Sequence, residues 1–193
     1  MKRFLPLLMA CAWVLPGCTC CEPAASGAAD SGERVLVWFD QNADLDRWVV
    51  EDDVVMGGRS QGALSINEAG NAVFSGEVSL ENNGGFSSVQ RDFDPIDVSR
   101  HRAVVLGLKG DGKRYQLRIE ASPTARHAYA YDFQTSGAWQ AIEIPFADMY
   151  AIRHGDRLDL PNYPGQTLAR IQLLVGNQKA ESFRLEIDKI WLD

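Results

Sequence analysis

The sequence predicts an all-β fold, a β-sandwich or jelly roll, behind an N-terminal signal and tether. Three observations predict it. From Val35 onward the hydrophobic period is two. Turn residues separate the apolar runs at intervals of roughly 8–15 residues. No long segment carries an apolar stripe at helical spacing.

Met1, Lys2 and Arg3 give a positive start, and Phe4 to Leu15 form an uncharged apolar run. That run has the length of a signal-peptide core and is too short to span a membrane. It ends in Leu15-Pro16-Gly17-Cys18, which resembles the bacterial lipoprotein signal; a plain secretory signal is the alternative. The resemblance implies a signal peptide over residues 1–17, diacylation of Cys18, and an exported chain anchored to the membrane, facing the periplasm or cell surface. Residues 18–33 are small and polar and are expected to form a flexible tether. The four cysteines, Cys11, Cys18, Cys20 and Cys21, all precede the domain at 34–193. That domain therefore has no disulfide framework and no thiolate chemistry.

Val35 to Phe39, Ala103 to Leu108 and Ile171 to Val175 are short apolar runs rich in β-formers. Lys113 to Glu120, His127 to Phe133 and Phe183 to Asp188 alternate polar and apolar residues. The spacing predicts a hairpin of 102–109 with 113–120 around a two-residue Asp111-Gly112 turn, type I′. Its register would set Leu108 beside Tyr115, Leu106 beside Leu117 and Val104 beside Ile119. Lys109 would then face Arg114, an unfavourable pair.

The polar side of these strands carries Arg114, Gln116 and Arg118, joined by Asp132 and Gln134 if residues 127–134 form the next strand. Two readings remain open: a solvated outer face, or a ligand face for a sugar or an acidic segment of a partner. Arginine suits the second because its planar fork binds bidentately and stacks on rings. Tyr129, Tyr131 and Phe133 share the other parity and fit a core face or an aromatic platform. Trp139 and Phe146 read as core, and 150–165, with Tyr150, His154 and Tyr163, reads as a candidate binding loop.

The most distinctive stretch holds Trp48, Asp52, Asp53, Met56, Gly57, Gly58 and Ser60. On physical grounds it is a structured loop at a strand end. With Phe74-Ser75-Gly76, Glu81 to Ser88, Gly110 to Tyr115, Phe133, Trp139-Gln140 and Ile144-Pro145-Phe146, it resembles the complex I intermediate-associated protein 30 family. The resemblance runs from about Trp38 to Asp193 and implies a galactose-binding-domain-like β-sandwich. It implies a non-catalytic assembly role, since mitochondrial members assist respiratory complex I in the matrix. The exported reading of the N-terminus moves this domain to the other side of the membrane. The expected partner is then a protein of the envelope or the respiratory chain. The fold also resembles carbohydrate-binding modules, which keeps a glycan as the alternative.

Other chemistries find little support. The formal net charge of −7 argues against nucleic acid, whose phosphates favour a basic surface. His101, His127 and His154 form no ligand or catalytic motif, and Ser87-Ser88 lacks a nucleophile elbow. Asp52 and Asp53 are adjacent, so on a strand they point to opposite faces. No catalytic residue is assigned, and the chain is read as a non-enzyme. Asp40, Asn42, Asp44 and Asp46 have two-residue spacing, which suits either a polar turn or a structural calcium ion. They do not make an EF-hand loop, and neither a metal nor a cofactor is assigned.

Overall fold

The computed structural model describes residues 32–193. The signal peptide, Cys18 and most of the tether lie outside the described residues. Of the tether, Glu33 is described, and its carboxylate lies 2.7 Å from the Lys189 ammonium.

Among the described residues thirteen strands follow in chain order. They are β1 (Arg34–Trp38), β2 (Trp48–Asp52), β3 (Gln61–Ile66), β4 (Ala72–Val78), β5 (Ser87–Asp97), β6 (Ala103–Lys109) and β7 (Arg114–Glu120). Then come β8 (Ala128–Gln134), β9 (Trp139–Pro145), β10 (Tyr150–Arg153), β11 (Asp156–Arg157), β12 (Thr167–Val175) and β13 (Glu181–Leu192). They form two antiparallel sheets. One runs β3-β4-β13-β6-β9, with β1 also on β13; the other runs β11-β10-β8-β7-β12-β5-β2. The alternating patterns read from the sequence become strands whose apolar faces meet between the sheets. Leu106 and Leu108 of the first sheet and Leu117, Ile119, Ile171 and Leu173 of the second are buried in one core. Phe74 and Phe183 pack within it as a tilted pair, 4.7 Å between ring centroids.

The expected hairpin is not formed. β6 pairs β13 and β9, whereas β7 pairs β12 and β8, so the chain between them crosses from one sheet to the other. Gly112 has a positive φ of 83°, but Asp111 does not, so no type I′ turn exists. The reason is physical. Leu106 and Leu117 belong to the same core, and strand alternation is identical whether two apolar faces lie side by side or stack across a sandwich. Lys109 consequently lies beside Trp139 and Glu186, away from Arg114.

Trp139 is also corrected. It is 49% exposed at the start of β9, because Ile142 and Ile144 turn the opposite parity of that strand inward. Phe146 and Phe133 are core, and Tyr129 and Tyr131 pack against it. The aromatic face of β8 is therefore a core face. Tyr163 is also buried, donating its hydroxyl to the Thr167 carbonyl at 2.6 Å.

Candidate functional site

Arg118 lies on β7 between Leu117 and Ile119, both of which enter the core, so its side chain takes the outer face of the seven-stranded sheet. β8 supplies Asp132 opposite Gln116, and β10 supplies Tyr150 opposite Ala130. These side chains hold one another. Gln116 Nε2 donates to Asp132 Oδ1 and to the Tyr150 hydroxyl, each at 3.0 Å. The Tyr150 hydroxyl donates to Asp132 Oδ2 at 2.7 Å. Arg118 Nε donates to Gln116 Oε1 at 2.5 Å. Burial and the Asp132 carboxylate push the Tyr150 hydroxyl up to about 12, so it remains a donor at neutral pH. Burial pulls the Arg118 pKa down, against the opposing pull of Tyr150, Asp132 and Glu51.

The lattice floors a groove with two hollows that share Arg118, Leu174, Gly155 and Gly176. The polar hollow, about 480 Å³, has Arg114, Gln116, Asp132, Tyr150 and Arg157 around it. Asn177 braces its rim, bonded to the Arg114 carbonyl at 3.1 Å and to Glu181 at 2.7 Å. The second hollow, about 470 Å³, adds Met56 and Phe86 with Glu51 and Gln172. A smaller hollow of about 210 Å³ on the other flank of Arg118 gathers His127, His154 and Glu120.

The loop that carries the distinctive motif borders this groove. Asp53 is fully buried after β2. Its Oδ1 accepts from Ser60 N at 2.9 Å, and its Oδ2 accepts from Gly85 N at 2.6 Å and Phe86 N at 3.3 Å. The Ser60 hydroxyl completes the set. Burial alone would raise this carboxyl; the Ser60, Gly85 and Phe86 donors hold it below the ordinary carboxylate value. Gly58 and Gly84 press against the carboxylate so closely that a Cβ at either would collide with it. The motif is thus a staple between the chain after β2 and the loop before β5, and it sets Met56 and Phe86 at the groove edge. Asp52 has a separate task, accepting from Gly62 N at 3.0 Å. Trp48 is buried against Phe39, 5.5 Å between ring centroids.

The structure therefore brings Arg114, Gln116, Arg118 and Asp132 together. Gln134, although paired with Arg114, donates to the Gly112 carbonyl at 2.6 Å and lies outside the groove. Of the 150–165 segment, Tyr150 and His154 line hollows of the groove and Tyr163 does not. Arg157, Asn177, Leu174 and the groove role of Phe86 are new. Strand parity puts Leu174 on the same face of β12 as Arg170 and Gln172, but only the β12–β7 register sets it beside Gln116. In the Asp40–Asp46 loop, Asp40 Oδ1 and Asp44 Oδ1 accept from the backbone N–H two residues on, at 2.7 and 3.0 Å. These are Asx turns. Among the described residues no group of three or more His, Cys, Asp or Glu is placed to hold a metal ion.

Residues 37–187 match the family described as Complex I intermediate-associated protein 30. The mouse protein named Complex I intermediate-associated protein 30, mitochondrial (Mus musculus), is 26% identical over 180 residues. The match covers 81% of this chain and 55% of that protein, so the chain spans about half the length of its curated relative. Among solved structures, a family 11 carbohydrate-binding module from Clostridium thermocellum, in complex with a β-1,3-1,4-mixed-linked tetrasaccharide, is similar in fold. Its TM-score is 0.58 at 17% identity, over 83% of this chain and 95% of that one. The agarase AgWH50C gives a TM-score of 0.56 at 10% identity, over 84% of this chain and 24% of that one. These likenesses show the fold, a jelly-roll sandwich.

Proposed function

Because the chain belongs to the Complex I intermediate-associated protein 30 family, we propose that it is a non-catalytic binding domain that seats a protein partner in the groove over Arg118. Its role is then assembly or scaffolding at the membrane. The observation that carries this reading is the groove floor, where Gln116, Asp132, Tyr150 and Arg118 are held by mutual hydrogen bonds before any ligand arrives. Such a surface binds without reorganising, which lowers the cost of association. The name of the mouse relative supports a partner from complex assembly.

A photo-crosslinking residue placed at Asp156 or Lys179, beside the groove residues Gly155 and Gln178, tests this in the native host. Both positions are expected to give the same protein adduct, and Glu143 on the other sheet none. Adducts at Glu143 alone, or none at the groove, would overturn the reading. A polysaccharide adduct would select the second reading, a carbohydrate-binding module. That reading is favoured by the fold shared with a sugar-bound module and by the hydrogen-bonding side chains of the polar hollow.

The same proposal places the domain outside the cytoplasm, exported by the signal-like residues 1–17 and anchored by the lipid on Cys18. A clickable fatty-acid label is expected on the full chain and absent from Cys18→Ala, which should also leave the membrane fraction. An unlabelled wild-type chain would remove the anchor.

A further inference from the structure

Two arginines on the outer face of the seven-stranded sheet have opposite circumstances. Arg170 on β12 is paired with both Asp92 and Glu120. Arg118 on neighbouring β7 has no acidic partner within ion-pair distance among the described residues, and neither do Arg114 and Arg157 beside it. Its Nε is fixed on Gln116, which orients the guanidinium plane, while both Nη groups have no hydrogen-bond partner among the described residues. Of the acids around it, Asp132, diagonal to it on β8, has its two oxygens occupied by Gln116 and Tyr150, and Glu120 is paired with Arg170. A half-buried, oriented guanidinium with no direct ion pair, on which Asp132 and Glu51 act only at longer range, is a carboxylate receptor in waiting, because its fork matches that group bidentately.

On one side of Arg118 the groove is polar; on the other it offers Met56, Phe86 and Leu174. Met56 is 63% exposed, a large apolar side chain held out by the motif loop. We propose that the groove recognises an acidic peptide segment of the partner. An Asp or Glu carboxylate sits on the free end of Arg118, and a nearby apolar side chain sits on Met56, Phe86 and Leu174. This rests on the protein-binding reading above and narrows it to a ligand class. The aromatic groups favour a peptide over a sugar. Tyr115 is buried in the core, so Tyr150 is the one ring a sugar could reach in the polar hollow, and one of its faces is already taken by the Arg157 guanidinium, 4.7 Å from the ring centroid.

The test is selection from a phage-displayed random-peptide library on the full chain, followed by fluorescence anisotropy of the enriched peptides. Enriched sequences should pair Asp or Glu with Leu, Phe or Met a few residues away. Arg118→Ala should weaken their binding about tenfold to a hundredfold, and Arg118→Lys should recover part of that. Lys109→Ala, which removes an equal charge from the other sheet, should leave binding unchanged. Thermal melting of each variant checks the fold. Neutral or basic enriched peptides, no enrichment, or equal binding by Arg118→Ala would overturn the proposal. So would Arg118-dependent binding of oligogalacturonate in place of peptides, which would make the ligand an acidic glycan. If the crosslinked partner at Asp156 and Lys179 persists in Arg118→Ala, the acidic contact fails while the groove reading stands. If the wild-type chain gives no groove crosslink, the broader reading fails first.

Discussion

Asp53→Ala is expected to destabilise the domain by about 3 kcal/mol, the cost of stranding several buried donors, read as a fall in Tm of about 10 °C. The carboxylate is fully buried and is the common acceptor for Ser60 N, Gly85 N, Phe86 N and the Ser60 hydroxyl. Truncation strands these donors in a space too tight for ready relief, since Gly58 and Gly84 already abut the carboxylate. Asp53→Asn keeps the shape but replaces one acceptor with a donor, so a smaller loss is expected. The pH dependence separates charge from shape. Asp53 is held below its ordinary value of 3.8, so its contribution is fully present above that value and is lost as pH falls through the lower folded value. Wild-type stability should fall across that acid window, and Asp53→Asn should fall less. Equal acid profiles for the two proteins would show that the carboxylate charge contributes nothing.

The staple also explains what was legible in the sequence. Asp53, Gly58 and Ser60 stand close together in the chain, and the glycine-rich run before Ser87 supplies the other half, so the motif was visible as a unit. Its task was not visible, because the bonds from Gly85 and Phe86 cross more than thirty positions. The ligand face shows the same division. Alternation along β7 and β8 places Arg114, Gln116, Arg118 and Asp132 on one side, and pairing of these consecutive strands brings them together. Alternation fixes a face without naming the neighbouring strand. Taken alone it joins β6 to β7 in a hairpin, whereas the structure stacks them across the core. Tyr150, Arg157 and Asn177 reach the groove from a strand edge and a loop rim. Only the completed sheet order determines those positions.

Gly76→Ala should rival Asp53→Ala although it lies outside the groove, with a loss of about 3 kcal/mol. Gly76 sits mid-strand in β4, opposite Gly62 of β3 on one side and Phe183 of β13 on the other. A Cβ there would collide with the backbone carbonyl of Gln61, and no rotamer change can remove a clash with backbone. Because β4 is held by β13 along its whole length, relief has to come from β3, an edge strand with a single partner in its sheet. Amide exchange over Gln61–Ile66 should accelerate. Ser60 immediately precedes β3 and bonds Asp53, so the staple should loosen with it and release Met56 from the groove edge. Gly137→Ala is the contrast. Its φ of +73° carries a backbone cost, yet no atom lies within 4 Å of its added methyl, so about 1 kcal/mol is expected. Equal effects for the two glycines would mean that β3 yields without strain, and the link from the sheet edge to the groove would fail.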